Sequence, residues 1–403
     1  MDDRWNRRTV VAGTIGVGTS GVAGCLGTGG DDGAEDTDSA DDDSDSGADD
    51  TDSHESDGTG SSTWPMYGSD ARGTSATEGR GPIGDPEIAW TASLGFAGYE
   101  APIVADGTVF VPDGRRESEA DVRALDAETG DEQWETELDL EMDRRAVLAA
   151  SDDAVYASSA GQLFALDRET GEIDWQAGPD GRGFDGDSLL LGPDVAVYDS
   201  DSRLIAVDLD DRTVAWDIEI DGAPGRPVMD TETVYTNSIT FGSMVAISLG
   251  DGEVRWELGE GPQRGPPAVA DGIVYFAEGF DAVAVDAADG QRVWDASVGA
   301  SQATQPAIDD DTLIYLGAAR ITRLSGSGDT QWEAQIEGSA VTGVLTPRVF
   351  YVGSDRGTVY AIDRETGEVE WDLDVGQRIR GGLAVVDDGL YVIDRHGELY
   401  AIR

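Results

Sequence analysis

The sequence predicts an all-β chain folded as an eight-bladed β-propeller of four-stranded antiparallel blades, closed by pairing its N- and C-terminal strands. Three observations carry that prediction. Tryptophan recurs at Trp90, Trp134, Trp175, Trp216, Trp256, Trp294, Trp332 and Trp371, in steps of 38 to 44 residues. Between the tryptophans lie short runs rich in Val, Ile, Tyr and Phe, broken by Asp-Gly or Asp-Asp. The two ends of the repeating region are complementary fractions of one unit.

A period near forty suits either a helix pair or one propeller blade. Local chemistry decides between them. Segments such as "APIVADGTVFVPDG" and "GPPAVADGIVYFAEG" are strand-and-hairpin sequences, and no window keeps apolar residues at helical spacing beyond two turns. In the second unit the strands are expected at Ala146–Ala150, Ala154–Ser158, Gln162–Asp167 and Ile173–Trp175. The phrase "ALDRETGEIDW", Ala165–Trp175, is then the hairpin between strands three and four. Asp167 and Thr170 can bond the turn backbone, Gly171 permits positive φ, and Trp175 wedges one blade against the next.

Third strands occur eight times: "VRALD", "LFALD", "LIAVD", "MVAIS", "AVAVD", "ITRLS", "VYAID" and "LYAIR". The last has no Trp strand after it, whereas "PEIAW", Pro86–Trp90, is a Trp strand with no third strand before it. Pairing Pro86–Trp90 with Glu398–Ile402 completes the eighth blade and removes two exposed sheet edges.

The run A-x-D-x-x-T-G-x-x-x-W, complete at Ala124–Trp134, Ala165–Trp175 and Ala361–Trp371, resembles the PQQ-like β-propeller repeat. That family includes quinoprotein alcohol dehydrogenases and the outer-membrane assembly lipoprotein BamB. The resemblance spans residues 64–403, because "WPMYGSDARGT" looks like the lead-in common in such proteins. Some units are degenerate. Asp289 replaces Thr before Trp294, Asp211-Arg212 replace Thr-Gly before Trp216, Ser248 replaces Asp before Trp256, and the Trp332 unit is one residue short.

Residues 1–25 have the layout of a twin-arginine signal peptide with a lipobox. Arg7-Arg8 precede a short, Gly-rich apolar stretch, and Val22-Ala23-Gly24 precede Cys25, the expected lipidation site. Cys25 is the only cysteine, so no internal disulfide forms. Residues 26–63 read as an acidic, disordered tether; Asp31 to Asp57 carries fourteen carboxylates and no basic residue. The expected location is therefore outside the cell, anchored to the outer face of the membrane. The region 64–403 is acidic as well, with 66 Asp plus Glu against 24 Arg, a difference of −42. Every basic residue is Arg, and acidity without Lys resembles a halophilic, haloarchaeal protein. Such a field excludes a nucleic-acid partner. Acidic runs such as Asp309–Asp311 lack the spacing of a calcium loop, so no metal site is expected.

Two function classes compete. The resemblance to quinoproteins implies PQQ, a disulfide of adjacent cysteines, a calcium held by carboxylate and amide, and a catalytic Asp. This chain has one cysteine outside the repeats and one propeller asparagine, Asn237. With two histidines, His54 and His396, it cannot build a multi-His metal centre, and no nucleophile elbow or P-loop motif is present. Trp-Asp pairs suggest WD40, but the Gly-His partner of that repeat is missing. No catalytic residue is assigned, and a quinoprotein dehydrogenase is the alternative reading. The main one is a monomeric, non-catalytic binding scaffold for a protein or a small anionic ligand. The loops joining strand four to the next strand one carry Arg144, Arg145, Arg182, Arg226, Arg264, Arg378 and Arg380, with Gln302 and Gln305 in the sixth interval. These arginines either balance local charge or form a funnel whose guanidinium forks accept an anion.

Overall fold

The computed structural model describes residues 63–94, 101–113, 121–138, 146–179, 186–259, 264–299 and 304–403. The signal, lipobox and tether assignments, including Arg7, Arg8 and Cys25, lie outside them. The described residues form eight four-stranded antiparallel sheets arranged as an eight-bladed propeller. Seven blades run in sequence order from the axis outward, and the eighth has the order Ile379–Val386, Gly389–Asp394, Glu398–Ile402, then Ile88–Ser93. The terminal strands pair as the sequence requires, with Trp90 opposite Ala401 and Ser93 opposite Glu398. Glu87 and Arg403 exchange backbone hydrogen bonds at 2.9 and 3.0 Å. In the second blade the strands are Val147–Ala150, Ala154–Ser159, Gln162–Asp167 and Ile173–Ala177, within two residues of expectation.

The repeat motif has a separate physical reason at each position. Its Ala is the cross-strand partner of its Trp: Ala124 faces Trp134, Ala165 faces Trp175 and Ala361 faces Trp371. A small residue leaves room for the indole to lie over the sheet. A bulge between strands three and four sits beside that pair and tilts the ring toward the next blade. The motif Asp caps the hairpin: Asp167 Oδ1 accepts the Thr170 N–H at 2.8 Å and the Thr170 hydroxyl at 2.8 Å. These bonds hold the carboxyl below the usual range. Gly171 has φ +73°, and a Cβ there would lie 2.5 Å from Cε3 of Trp134, in the preceding blade. Trp134 Nε1 donates to Arg168 O in the same turn, 3.0 Å.

The third blade breaks this rule in an informative way. Arg212 occupies the glycine position with φ +57°, and its guanidinium carbon lies 5.8 Å from the Trp175 ring centroid. A cation over the indole replaces backbone against indole. The eighth blade has no turn between strands three and four, because the two chain ends meet there. Trp371 of the seventh blade therefore lacks the usual carbonyl, and its Nε1 is buried without a partner.

One feature was not expected from the sequence. The lead-in, residues 64–81, winds once around the axis and visits the innermost strands in ring order. Trp64 and Val104 exchange backbone hydrogen bonds, and Ala150 N–H donates to Pro65 O at 2.7 Å. Met66 and Ala71 pack against the third blade. Met229, Val269, Ile308 and Leu345 N–H then donate to Ala71, Arg72, Thr74 and Ser75 O at 2.7 to 3.0 Å, and Gly81 N–H donates to Val386 O at 3.1 Å. The collar binds the C-terminal ends of the inner strands. Antiparallel order places the strand-three-to-four hairpins on that same face. The strand-two-to-three turns and the loops between blades occupy the opposite face, the mouth.

Candidate functional site

The mouth carries the arginines singled out in the sequence, and the structure separates their roles. Arg144, Arg145, Arg182 and Gln302 lie outside the described residues. Arg226 stacks its guanidinium 3.7 Å from the ring centroid of Tyr67, which rises from the collar. Arg264 is buried, and its Nε donates to Glu278 Oε1 at 2.8 Å while Nη1 donates to Gly242 O and Gly259 O. The anion that Arg264 faces is the Glu278 carboxylate of the fold, and the guanidinium ties two mouth turns together from inside. Burial raises the Glu278 pKa, but hydrogen bonds and charge from Arg292 and Arg264 outweigh it and hold the carboxyl below its usual range. Arg378 is half exposed, 3.8 Å from the Asp355 carboxylate, and Arg380 is exposed on the innermost strand of the eighth blade. These two remain turned toward solvent.

Other mouth residues carry structural tasks that the sequence did not announce. Asn237, 3% exposed, donates from Nδ2 to Arg264 O at 2.8 Å. Asp199, 8% exposed, is next to last in the second strand of the third blade and accepts the Asp187 N–H at 3.0 Å and the Ser188 hydroxyl. Burial pushes its carboxyl up to about 6, against the lowering effect of those hydrogen bonds. A carboxylate near the end of strand two, bonded back to the loop entering the blade, is found again at Asp355, one residue past its strand, whose Oδ1 accepts the Ser339 N–H at 2.8 Å. Only the position at a strand end marked these residues in the sequence.

The cavity described inside the ring is narrow. Trp64, Tyr67, Gly68, Gln305, Gly343 and Leu383 line a cavity of 20 Å³ above the collar. That volume holds about one water molecule, whereas cofactor pockets run to hundreds of Å³. Asn237, the one asparagine of residues 64–403, lies buried against Gly225 with its Nδ2 donating to Arg264 O and its Oδ1 without a hydrogen-bond partner. This one cavity, bounded by described residues, is too small to hold a quinone.

The mouth also exposes apolar side chains. Ile239 and Phe241 stand on the turn of the fourth blade, 52% and 46% exposed, and Phe280 stands on the turn of the fifth, 72% exposed. Arg264 joins these turns, since Gly242 follows Phe241 and Glu278 precedes Phe280 by two residues.

Comparison with known proteins places the fold. BamB from Moraxella catarrhalis superposes with a TM-score of 0.62 at 17% identity, covering 79% of this chain and 98% of its own. The quinohemoprotein alcohol dehydrogenase from Comamonas testosteroni gives 0.67 at 14% identity, covering 85% and 80%. The computationally designed Ika8 protein gives 0.66 at 15%, covering 77% and 98%. No curated protein matches the sequence significantly. The family model described as outer membrane protein assembly factor BamB matches residues 84–257, 200–342 and 317–403. With those matches extending over the closed ring of blades, the chain belongs to the BamB-like family of PQQ-repeat β-propellers.

Proposed function

We propose that this protein is an exported, lipid-anchored scaffold that binds a protein partner at the mouth of its propeller and performs no chemistry there. The observation that carries this reading is the division of the ring into two unlike faces. The collar occupies one face, while the mouth presents rigidly held turns with exposed apolar side chains. Rigid frames that display loops at one end are binding architectures. The assembly-factor description of the family favours a scaffold, and the dehydrogenase neighbour favours a quinoprotein. The cavity of 20 Å³ and the absence of cysteine from residues 64–403 weigh against the second. A small anionic ligand has less support than a protein, because Arg264 is satisfied within the fold and Arg226 stacks on Tyr67.

The anchor rests on Arg7-Arg8 and on Cys25 after Val22-Ala23-Gly24. The Cys25→Ser variant is expected in the medium instead of the membrane fraction, and the Arg7→Lys/Arg8→Lys variant is expected to stay inside the cell. Retention of the Ser variant on membranes refutes the anchor. For the scaffold, cross-linking on native membranes in molar salt should recover one polypeptide in stoichiometric amount. A quinone spectrum in the extracted protein, with dye-linked alcohol oxidation, would overturn it in favour of the dehydrogenase.

A further inference from the structure

We propose that Ile239, Phe241 and Phe280 form the docking surface for an extended polypeptide segment whose apolar side chains are flanked by basic residues. The inference rests on the scaffold reading and names the chemistry of its partner.

Exposed apolar residues elsewhere stand singly. Ile88, Ile173, Val254, Val293 and Val369 lie on the outermost strands of five blades, and Ile83 lies on the segment between the collar and the first of these strands, as isolated surface residues commonly do. On the mouth the corresponding turns carry small or polar residues: Ala160-Gly161 in the second blade, Asp201-Ser202 in the third, Asp355-Arg356-Gly357 in the seventh and Arg395-His396-Gly397 in the eighth. Those residues suit tight turns. Phe280 sits at the tip of a two-residue turn, between the paired Glu278 and Asp281, where a phenylalanine contributes nothing to turn geometry. The fourth-blade turn is equally fixed. Ile239 N–H donates to Ala223 O at 2.9 Å, Gly242 N–H to Ser238 O at 2.8 Å, and Ser238 Oγ to Asp221 O at 2.7 Å. Rigid backbone beneath exposed aromatics lowers the ordering cost of binding.

Charge decides the occupant. The nearby guanidiniums of Arg264 and Arg292 both pair with Glu278, leaving the carboxylates of Asp221 and Asp281 at the edges of the patch. A second copy would bring its own −42 from residues 64–403, and an anionic lipid surface would be repelled in the same way. A segment with basic flanks is attracted. Packed sheets stand about 10 Å apart, and an extended chain rises about 3.3 Å per residue, so about three or four residues bridge neighbouring turns.

The test uses the mature protein and a fluorescein-labelled peptide in which Leu and Phe alternate with Ser between pairs of arginines. Fluorescence anisotropy in molar potassium chloride should show saturable binding. Replacing the Leu and Phe by Ser should abolish it, and replacing the arginines by aspartates should weaken it as salt is lowered. The Phe241→Ser/Phe280→Ser protein should keep its melting temperature and bind at least about tenfold more weakly. Equal binding by this variant, or equal binding of the all-Ser peptide, overturns the proposal. So does sedimentation with phosphatidylglycerol–phosphatidylcholine vesicles, or self-association, that the wild type shows and the variant loses. A membrane partner recovered equally with wild type and variant would leave the scaffold reading standing and move its surface elsewhere.

Discussion

Replacing Gly171 with Ala separates two reasons for a glycine that the sequence cannot tell apart. At φ +73° the residue is left-handed, and an added Cβ would also lie 2.5 Å from Trp134 Cε3 and 2.6 Å from Thr136 Oγ1. Neither neighbour yields easily. Trp134 is 8% exposed and bonded through Nε1 to Arg168 O, and Thr136 Oγ1 donates to Gly171 O at 2.7 Å. The left-handed conformation costs Ala roughly 1–2 kcal/mol, and overpacking adds about 1–3 kcal/mol. Gly272 supplies the control, with φ +74° and nothing within 4 Å of its added Cβ. Urea denaturation in molar salt should show Gly272→Ala losing about 1 kcal/mol and Gly171→Ala about 3 kcal/mol. Arg212→Gly should be near neutral, because relief of backbone strain offsets a cation–π contact of about 0.5–1 kcal/mol. Equal losses at Gly171 and Gly272 would refute the claim that indole packing, and not the turn alone, requires glycine.

Deleting Glu398–Arg403 should leave Ile88–Ser93 unpaired and expose a sheet edge; a truncated protein with wild-type melting temperature would disprove closure at this seam. Hydrogen exchange should find the junction of blades seven and eight opening first, because Trp371 Nε1 has no acceptor whereas Trp332 Nε1 donates to Arg364 O at 2.8 Å; uniform protection around the ring would contradict this. Asp199, raised from 3.8 to about 6, favours the folded state below the unfolded pKa and loses that contribution as pH rises through the folded one. The Asp199→Asn variant keeps an acceptor for the Asp187 N–H and should gain about 1 kcal/mol over wild type between about pH 5 and about pH 7.5, measured by urea midpoints; an unchanging difference would show that the carboxyl titrates normally.

The blades were legible because their determinants are local. Alternating β-rich runs, a capped hairpin and one indole per repeat lie within forty residues of each other, and the same physical solution appears in successive copies. Closure was legible for a related reason: Pro86–Trp90 and Glu398–Ile402 are halves of a pattern written seven times elsewhere. The collar was not. Its bonds to the inner strands use backbone groups, so "WPMYGSDARGT" advertises no partner, and the ring order of its contacts exists only after the blades close.

The mouth explains why arginine position is a poor guide to arginine function. In the sequence, Arg264 and Arg378 occupy comparable loops of an acidic chain. In the fold, Arg264 has a carboxylate and carbonyls converging on it and lies buried, whereas Arg378 is half exposed beside one distant carboxylate. A buried guanidinium is strongly stabilised only when its donors are satisfied, and removing it leaves the Glu278 carboxylate to Arg292 alone. In molar salt charges are screened beyond about 3 Å, so apolar contact carries the affinity at this face and only charges in direct contact select the partner. The arginine that looked like a ligand group instead fixes the turns that bear Phe241 and Phe280. Recognition at the mouth is therefore sought in the side chains that Arg264 positions, not in Arg264 itself.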